Sequence, residues 1–401
     1  MFGLPDLYKI LVFAATAVRD HLNTQHEAAR CTHPAVRREW RKLTPDERAE
    51  WVAGINCLAD LPHDDALAPS VDRSISRIGP VNTSGSYWDD IVYVHMDLNT
   101  KIHETGLFLP FHRLYVHAVE KALKERCGYT GAFPYWDWSI DAQDVQNSPV
   151  FLDSDPLGGL GGWGDPTKDF EMQDGGFRAL HVAYPVPHIL RRNFTLQPFL
   201  PFAGVPVFTN ITQYANESFT PEQIRALVDE TPQGDFVGFQ FAMEEPQVSE
   251  GHDVPDDLRL GREKGERRLI QVLHAQGPHA SVHFILGGDL AGQCPAASLP
   301  GCMPAQPTFS ANEPMFFLHH GMVDKIWRVW QTKHPSNLWA FKGGSVQNIT
   351  SLEALRDYPN GMAPDLTLDS VIPTDGMFGL EGVTIRDVMD TTGGFLCYVY
   401  E

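Results

Sequence analysis

The sequence predicts a mainly α-helical domain, with a central four-helix bundle and with long loops and a few short strands outside it. Three observations predict this. Segments of helical apolar periodicity carry six histidines in two trios: His95, His103 and His112, then His279, His283 and His320. The trios lie far apart in the chain but suit two adjacent metal ions, so the segments that bear them must surround one point. Between them, stretches rich in glycine and proline, such as residues 158–164 and 198–206, read as surface loops that either frame the mouth of a site or are purely structural.

Residues 1–25 read either as a signal segment, from the short apolar run after Lys9 and the Ala15-Thr16-Ala17 triplet, or as an amphipathic first helix. Residues 26–401 are expected to form a single domain, because the two trios must meet. The first bundle helix carries Tyr87, Trp88, Ile91, Val92 and Val94 and is expected to end at His95. No continuous helix can join His103 to His112, since residues nine apart point in opposite directions. A break is needed, and Gly106 and Pro110 are expected to supply it. His103 then sits in a loop, and His112 opens a second helix that runs through Leu114, Val116, Val119 and Leu123 to a cap at Gly128. His279 and His283, four residues apart, differ by about 40° round a third helix and so face the same way. The fourth helix opens at Glu313-Pro314, with Ser310 or Asn312 as its cap, and runs to Pro335.

Asp324 follows His320 by one turn on the same face, where it is expected to accept the proton on the other ring nitrogen of a ligand imidazole. Phe316, one turn before His320, is expected beside the same pocket. Neighbours on a helix diverge by about 100°, so His319 and His320 cannot both face one ion. His117 lies at a poor angle to His112 and reads as a packed residue, and His181, His188, His252, His274 and His334 have no partner at ligand spacing. Six imidazoles without a carboxylate or thiolate suit copper, zinc, nickel or iron. They disfavour magnesium, calcium and manganese, which take oxygen ligands.

The stretch His103-Glu-Thr-Gly-Leu-Phe-Leu-Pro-Phe-His112-Arg-Leu-Tyr-Val-His-Ala-Val-Glu120 resembles, position for position, the copper A signature of the tyrosinase, catechol oxidase and polyphenol oxidase family. Glu313-Pro-Met-Phe-Phe-Leu-His-His320-Gly-Met-Val-Asp324 resembles the copper B signature, with Glu313 where the family usually has Asp. Pro134-Tyr-Trp-Asp-Trp138, Arg37-Arg-Glu-Trp-Arg41 and Leu396-Cys-Tyr-Val-Tyr400 look like further landmarks, so the resemblance spans roughly residues 30–401.

The resemblance implies a bundle that holds a dicopper site, with the six histidines as ligands and His320 taken from the His319-His320 doublet. It implies oxidation of o-diphenols to o-quinones, with dioxygen reduced to water. In this family the residue after the first copper B histidine, with a nearby acidic residue, is implicated in deprotonating an incoming monophenol through a held water. Here that residue is Ala280, placed at the substrate but without a side-chain carbonyl, so a catechol oxidase is favoured. A tyrosinase that also hydroxylates monophenols is the alternative. Gln271, Gln276 and Glu266 are the candidates for orienting the water. Lys101 stands where many members have a cysteine cross-linked to the second histidine, so no cross-link is expected and the chain looks most similar to the short fungal polyphenol oxidases. No C-terminal lid domain of the kind found in longer members is expected. A hemocyanin-like dioxygen carrier and a two-zinc hydrolase are remoter readings, the second because such enzymes usually add carboxylate ligands.

The 401 residues include 51 acidic and 31 basic side chains, a formal charge of −20. That balance speaks against nucleic acid or an anionic membrane as partner and leaves a small neutral phenol acceptable. No apolar run approaches the ~20 residues a membrane span needs. Of the six cysteines, Cys31 with Cys57 and Cys294 with Cys302 are the first pairings to try, with Cys127 and Cys397 a third pair or free thiols. Five Asn-x-Ser/Thr sequons, at Asn82, Asn193, Asn210, Asn216 and Asn348, join the N-terminal segment in pointing to a secreted glycoprotein. The oligomeric state does not follow from the sequence.

Overall fold

The computed structural model describes residues 31–203, 211–244, 276–296, 302 and 307–401; the N-terminal segment 1–25 lies outside the described residues. The architecture is mainly α-helical, as expected. Its longer helices are α1 (Pro45–Asp60), α2 (Tyr87–Ile102), α3 (Phe108–Cys127), α4 (Pro221–Glu230), α5 (Phe236–Glu244), α6 (Pro278–Leu286) and α7 (Met315–Lys333). Among the described residues three two-stranded sheets lie outside them. β1 (Ala35–Arg37) pairs in parallel with β6 (Tyr398–Tyr400); β2 (His181–Val182) with β3 (His188–Ile189) and β4 (Gly344–Val346) with β5 (Met362–Asp365) are antiparallel.

Local chemistry sets the start of each bundle helix. Ser86 and Asp89 form a reciprocal capping box at α2, satisfying two of the backbone N–H groups that a helix start leaves open. Trp88, Ile91, Val92, Val94 and Leu98 are fully buried, so α2 is the inner helix, and each such side chain contributes about 1.5–3 kcal/mol by leaving water. α1 carries its own box at Thr44 and Glu47 and packs across α2 and α3. At α3 there is no side-chain cap; Pro110 sits in the first turn, where a missing N–H is harmless, and Gly128 closes the helix at φ 71°.

Three expectations about ends and pairings are corrected. α2 does not stop at His95 but runs to Ile102, because nothing between Met96 and Ile102 breaks a helix; the break falls at His103 and at Glu104, whose φ is 46°. Neither Ser310 nor Asn312 caps α7. Asn312 turns its Nδ2 to the Tyr184 carbonyl, and the Glu313 carboxylate instead accepts the Met315 N–H at 3.2 Å. The disulfides are Cys31–Cys397, Cys57–Cys127 and Cys294–Cys302, so Cys31 does not pair with Cys57. The β1–β6 register, Ala35 beside Tyr398, carries Cys31 to Cys397, and that leaves Cys57 of α1 to meet Cys127 at the end of α3.

Candidate metal centre

α2, α3, α6 and α7 bring the six histidines to one buried point, with His103 contributed by the loop between α2 and α3. His95 lies mid-way along α2, His112 in the second turn of α3, His279 and His283 on one face of α6, and His320 on α7. The ligand-capable nitrogens of His95, His103 and His112 all lie within 4.8 Å of one another, and so do those of His279, His283, His319 and His320. Among the described residues neither group includes a carboxylate or thiolate. The groups adjoin: the His112 and His320 rings stack at 4.2 Å and 11°, and His103 and His279 are 6.3 Å apart.

Backbone carbonyls decide which ring nitrogen faces inward. His95 Nδ1 bonds the Thr308 carbonyl at 2.8 Å, His103 Nδ1 that of Asn99 at 3.2 Å, His112 Nδ1 that of Phe108 at 2.7 Å and His283 Nδ1 that of Leu290 at 2.8 Å. A carbonyl only accepts, so each Nδ1 carries the hydrogen and each Nε2 presents its lone pair. The Nε2 atoms of His95, His112, His279, His283 and His320 are buried with no hydrogen-bond partner among the described residues. Burial keeps these imidazoles uncharged: it drives His103 and His283 down to about 4 and pushes His95, His112, His279 and His320 well below the usual histidine value, neighbouring imidazoles adding to the shift in the last four. Neutral imidazoles with orphaned lone pairs are a donor set that fits two borderline-soft divalent or monovalent metal ions.

The doublet is not resolved by distance alone, since His319 falls in the second group and neither of its ring nitrogens has a partner. Orientation separates the two. His320 lies against His112 of the other trio, whereas His319 stacks on His279 at 5.3 Å and turns towards Trp138 at 6.0 Å.

Phe316 lies among the histidines. Its ring is 4.2 Å from that of His320, 5.0 Å from His95 and 5.7 Å from His283, touching imidazoles of both trios. Phe108, which sequence reasoning missed as a site residue, lies 4.7 Å from His279 and 5.0 Å from His112. Asp324 is corrected: it accepts no ligand proton. Its carboxylate is taken by Arg113 Nε and by the Tyr398 and Tyr400 hydroxyls, with Arg37 3.6 Å away. Two buried guanidiniums outbid a neutral imidazole for a carboxylate, because charge-assisted hydrogen bonds are roughly twice as strong as neutral ones. Glu313 likewise meets a cation, forming a two-pronged pair with buried Arg192, which also bonds the Leu160 and Gly161 carbonyls. The glycine-rich stretch at 158–164 thus helps to build the frame.

Ala280 is half-buried in the first turn of α6, directly after His279. Gln276 is buried just ahead of that helix, while Gln271 and Glu266 lie outside the described residues. Lys101 Nζ bonds Ser70 and every cysteine is in a disulfide, so no thioether reaches His103. His117 packs on Phe395, as a non-ligand should.

Comparison with known proteins agrees with this geometry. Residues 85–333 match the common central domain of tyrosinase. The chain is 27% identical to the tyrosinase-like protein phomQ1 of Diaporthe leptostromiformis, over 94% of this chain and 80% of that protein. It is 28% identical to the N-acetyl-6-hydroxytryptophan oxidase ivoB of Emericella nidulans, over 92% of each. A solved polyphenol oxidase of Thermothelomyces thermophila has the same fold, with a TM-score of 0.60 at 24% identity, covering 100% of this chain and 99% of that one.

Proposed function

The chain belongs to the tyrosinase family of oxidoreductases, and from that premise we propose that it binds two copper ions and oxidises o-diphenols to o-quinones with dioxygen. The observation that carries this reading is the meeting of two buried histidine trios, five of whose six Nε2 atoms have no hydrogen-bond partner among the described residues. Bound there, the copper pair supplies the four-electron reduction of dioxygen to water, matched by two o-diphenols that each give up two electrons and two protons.

The protein's own part is preorganisation. We assign His95, His103 and His112 to one ion and His279, His283 and His320 to the other, taking His320 from the doublet because its ring faces the opposite trio. Carbonyl-anchored Nδ1–H groups hold four of the rings in place, so little reorganisation accompanies metal binding. Phe108 and Phe316 set hydrocarbon against imidazoles of both trios, which favours a site of low polarity.

The preference for catechols over monophenols rests on Ala280. A catechol is readily oxidised once both oxygens are presented, whereas a monophenol must first be deprotonated, and a methyl side chain can neither hold a water nor accept a proton. Relatives named as tyrosinase-like proteins and as an N-acetyl-6-hydroxytryptophan oxidase differ in the phenol or indole their names imply, so family membership leaves the choice of substrate to such side chains. Three disulfides suit an oxidising compartment and, with the sequons, support secretion.

Metal analysis with paired rate measurements on phenol and catechol tests the proposal. Two coppers per chain and faster catechol turnover are expected. Zinc in place of copper, or no oxidation of either compound, would overturn it.

A further inference from the structure

His103 is the one member of its trio that no helix holds. His95 and His112 are placed by the registers of α2 and α3, but His103 begins the 103–107 connection, where Glu104 adopts φ 46°. Among the described residues its ring is tied by hydrogen bond to its own stretch of chain through the 3.2 Å bond from Nδ1 to the Asn99 carbonyl. A ring held only that way would be free to follow its loop.

The loop is instead gripped by residues far away in the chain. On one side stands α5. Glu244, buried, accepts the Glu104 N–H through Oε1 at 3.2 Å; Gln240, fully buried, gives its Nε2 to the Thr105 carbonyl at 2.7 Å and to Glu244 Oε2 at 3.1 Å. On the other side Gln347 donates from Nε2 to the His103 carbonyl at 3.3 Å and also bonds the Glu104 carboxylate. Below, Gly106 donates to the Gly344 carbonyl at 3.0 Å and packs on Gly343 so closely that a Cβ on Gly343 would stand 2.5 Å from the Gly106 Cα. The 103–104 and 105–106 peptide groups, which follow the ligand, are therefore fixed from outside. None of these three side chains shares a helix with a member of either trio.

We propose that Gln240, Glu244 and Gln347 are positioning residues for the first metal, a clamp that acts through the 103–105 backbone to set the place of the His103 ring. The proposal rests on the two-copper reading and deepens it, because it makes the two sites unequal: the second trio has α6 and α7 registers to rely on, and the first has this clamp. Weakening it lowers metal affinity at the first site alone. Residues that orient a metal ligand from behind typically change affinity ten- to a hundredfold when removed, which sets the expected size.

The test uses the full chain, stripped of metal, reloaded with copper(II) and dialysed against graded concentrations of a chelator. Wild-type protein is measured first; failure to take up two coppers would overturn the metal reading itself, separately from the clamp. In Gln240→Ala, Glu244→Ala and Gln347→Ala, one copper is expected to leave at roughly ten- to a hundredfold lower chelator concentration while the other stays at the wild-type value. A lone copper(II) ion carries an unpaired electron free of a magnetic neighbour, so the singly occupied form is counted by its electron paramagnetic resonance signal, independently of turnover. Glu244→Gln, which keeps an acceptor for the Glu104 N–H, is expected to fall between wild type and Glu244→Ala. Two coppers held as in the wild type, or two lost together from a variant whose metal-free melting is unchanged, would overturn the clamp. Gln347 is only half-buried, so Gln347→Ala decides the matter should the α5 variants fail to fold.

Discussion

The imidazole of His112 lies flat against that of His320, 4.2 Å away and 11° from parallel, although the two come from opposite trios. The consequence is that α3 and α7 touch at the site itself, so the two histidine groups share one wall. His320→Ala opens that wall. We expect the variant to keep one copper per chain and to lose nearly all catechol oxidation, since a paired reduction of dioxygen needs both ions. Metal counting and an oxygen-uptake assay check it, and full activity in the variant would refute the assignment of His320 over His319.

One turn beyond His320, Asp324 joins the same two helices from below through Arg113, the residue after His112. Burial by itself would raise the Asp324 pKa, but the Arg113 and Arg37 guanidiniums, with the Tyr398 and Tyr400 hydroxyls, hold it below the usual carboxylate value. A carboxylate with a lowered folded-state pKa contributes stability that is present above about pH 3.9, its unfolded value, and is lost as the pH falls through the folded one. Asp324→Asn strips the charge and leaves two buried cations facing a neutral amide. Denaturant unfolding at pH 7 is expected to show a loss of about 3–5 kcal/mol, shrinking as both proteins are taken towards acid. An equal difference at pH 7 and pH 3 would contradict this account of the network.

How much of this arrangement was legible in the residues differs from part to part. The trios, the four helices that carry them and the contact of Phe316 follow from spacing, because helical registers are local. The bond from His112 to the Phe108 carbonyl was foreseeable for the same reason, being the ordinary reach of a side chain to the carbonyl four residues back. What could not be read are the partners set by chain folding: the Thr308 and Leu290 carbonyls, which have no side-chain signature, and Gln240 and Glu244, which lack any ligand-like spacing. Asp324 misled because its position on α7 was right and its competitor, Arg113, was on another helix. Cys31 misled in the same way, since only the β1–β6 register reveals Cys397 as its neighbour.

Asp375 titrates in the opposite sense to Asp324. Its side chain is buried, and burial, opposed by a Ser70 contact and reinforced by the Asp97 charge, pushes its pKa up to about 7. The folded state therefore keeps a proton that the unfolded chain has released from about pH 3.9, and stability falls as the pH rises through that window. Asn tolerates the left-handed backbone found here, φ 49°, and its amide can donate to Asp97 permanently. Between pH 5 and pH 8 the advantage of Asp375→Asn over the wild type should widen by about 3 kcal/mol, at about 1.4 kcal/mol per tenfold change in proton affinity. Parallel melting curves from pH 5 to 8 check this, and profiles that run together across the range would count against a proton held by Asp375.

Ala280 offers the sharpest handle on substrate choice. It sits half-buried in the first turn of α6, one residue after His279 and about 100° round the helix from it, and under the proposed function its side chain is the one that meets a phenol or a water held beside one. Deprotonation of a monophenol is the step such a water would assist, and proton transfer by a positioned group is worth about 10²–10⁴-fold when complete. An amide at this position supplies only the water's anchor, so Ala280→Asn should raise monophenol hydroxylation relative to catechol oxidation by roughly tenfold, with both coppers retained. The ratio of the two rates is the proper measure, because a general loss or gain of activity cancels in it. If the ratio stays at the wild-type value while copper content is unchanged, the barrier to monophenols lies in the shape of the pocket rather than in the missing amide.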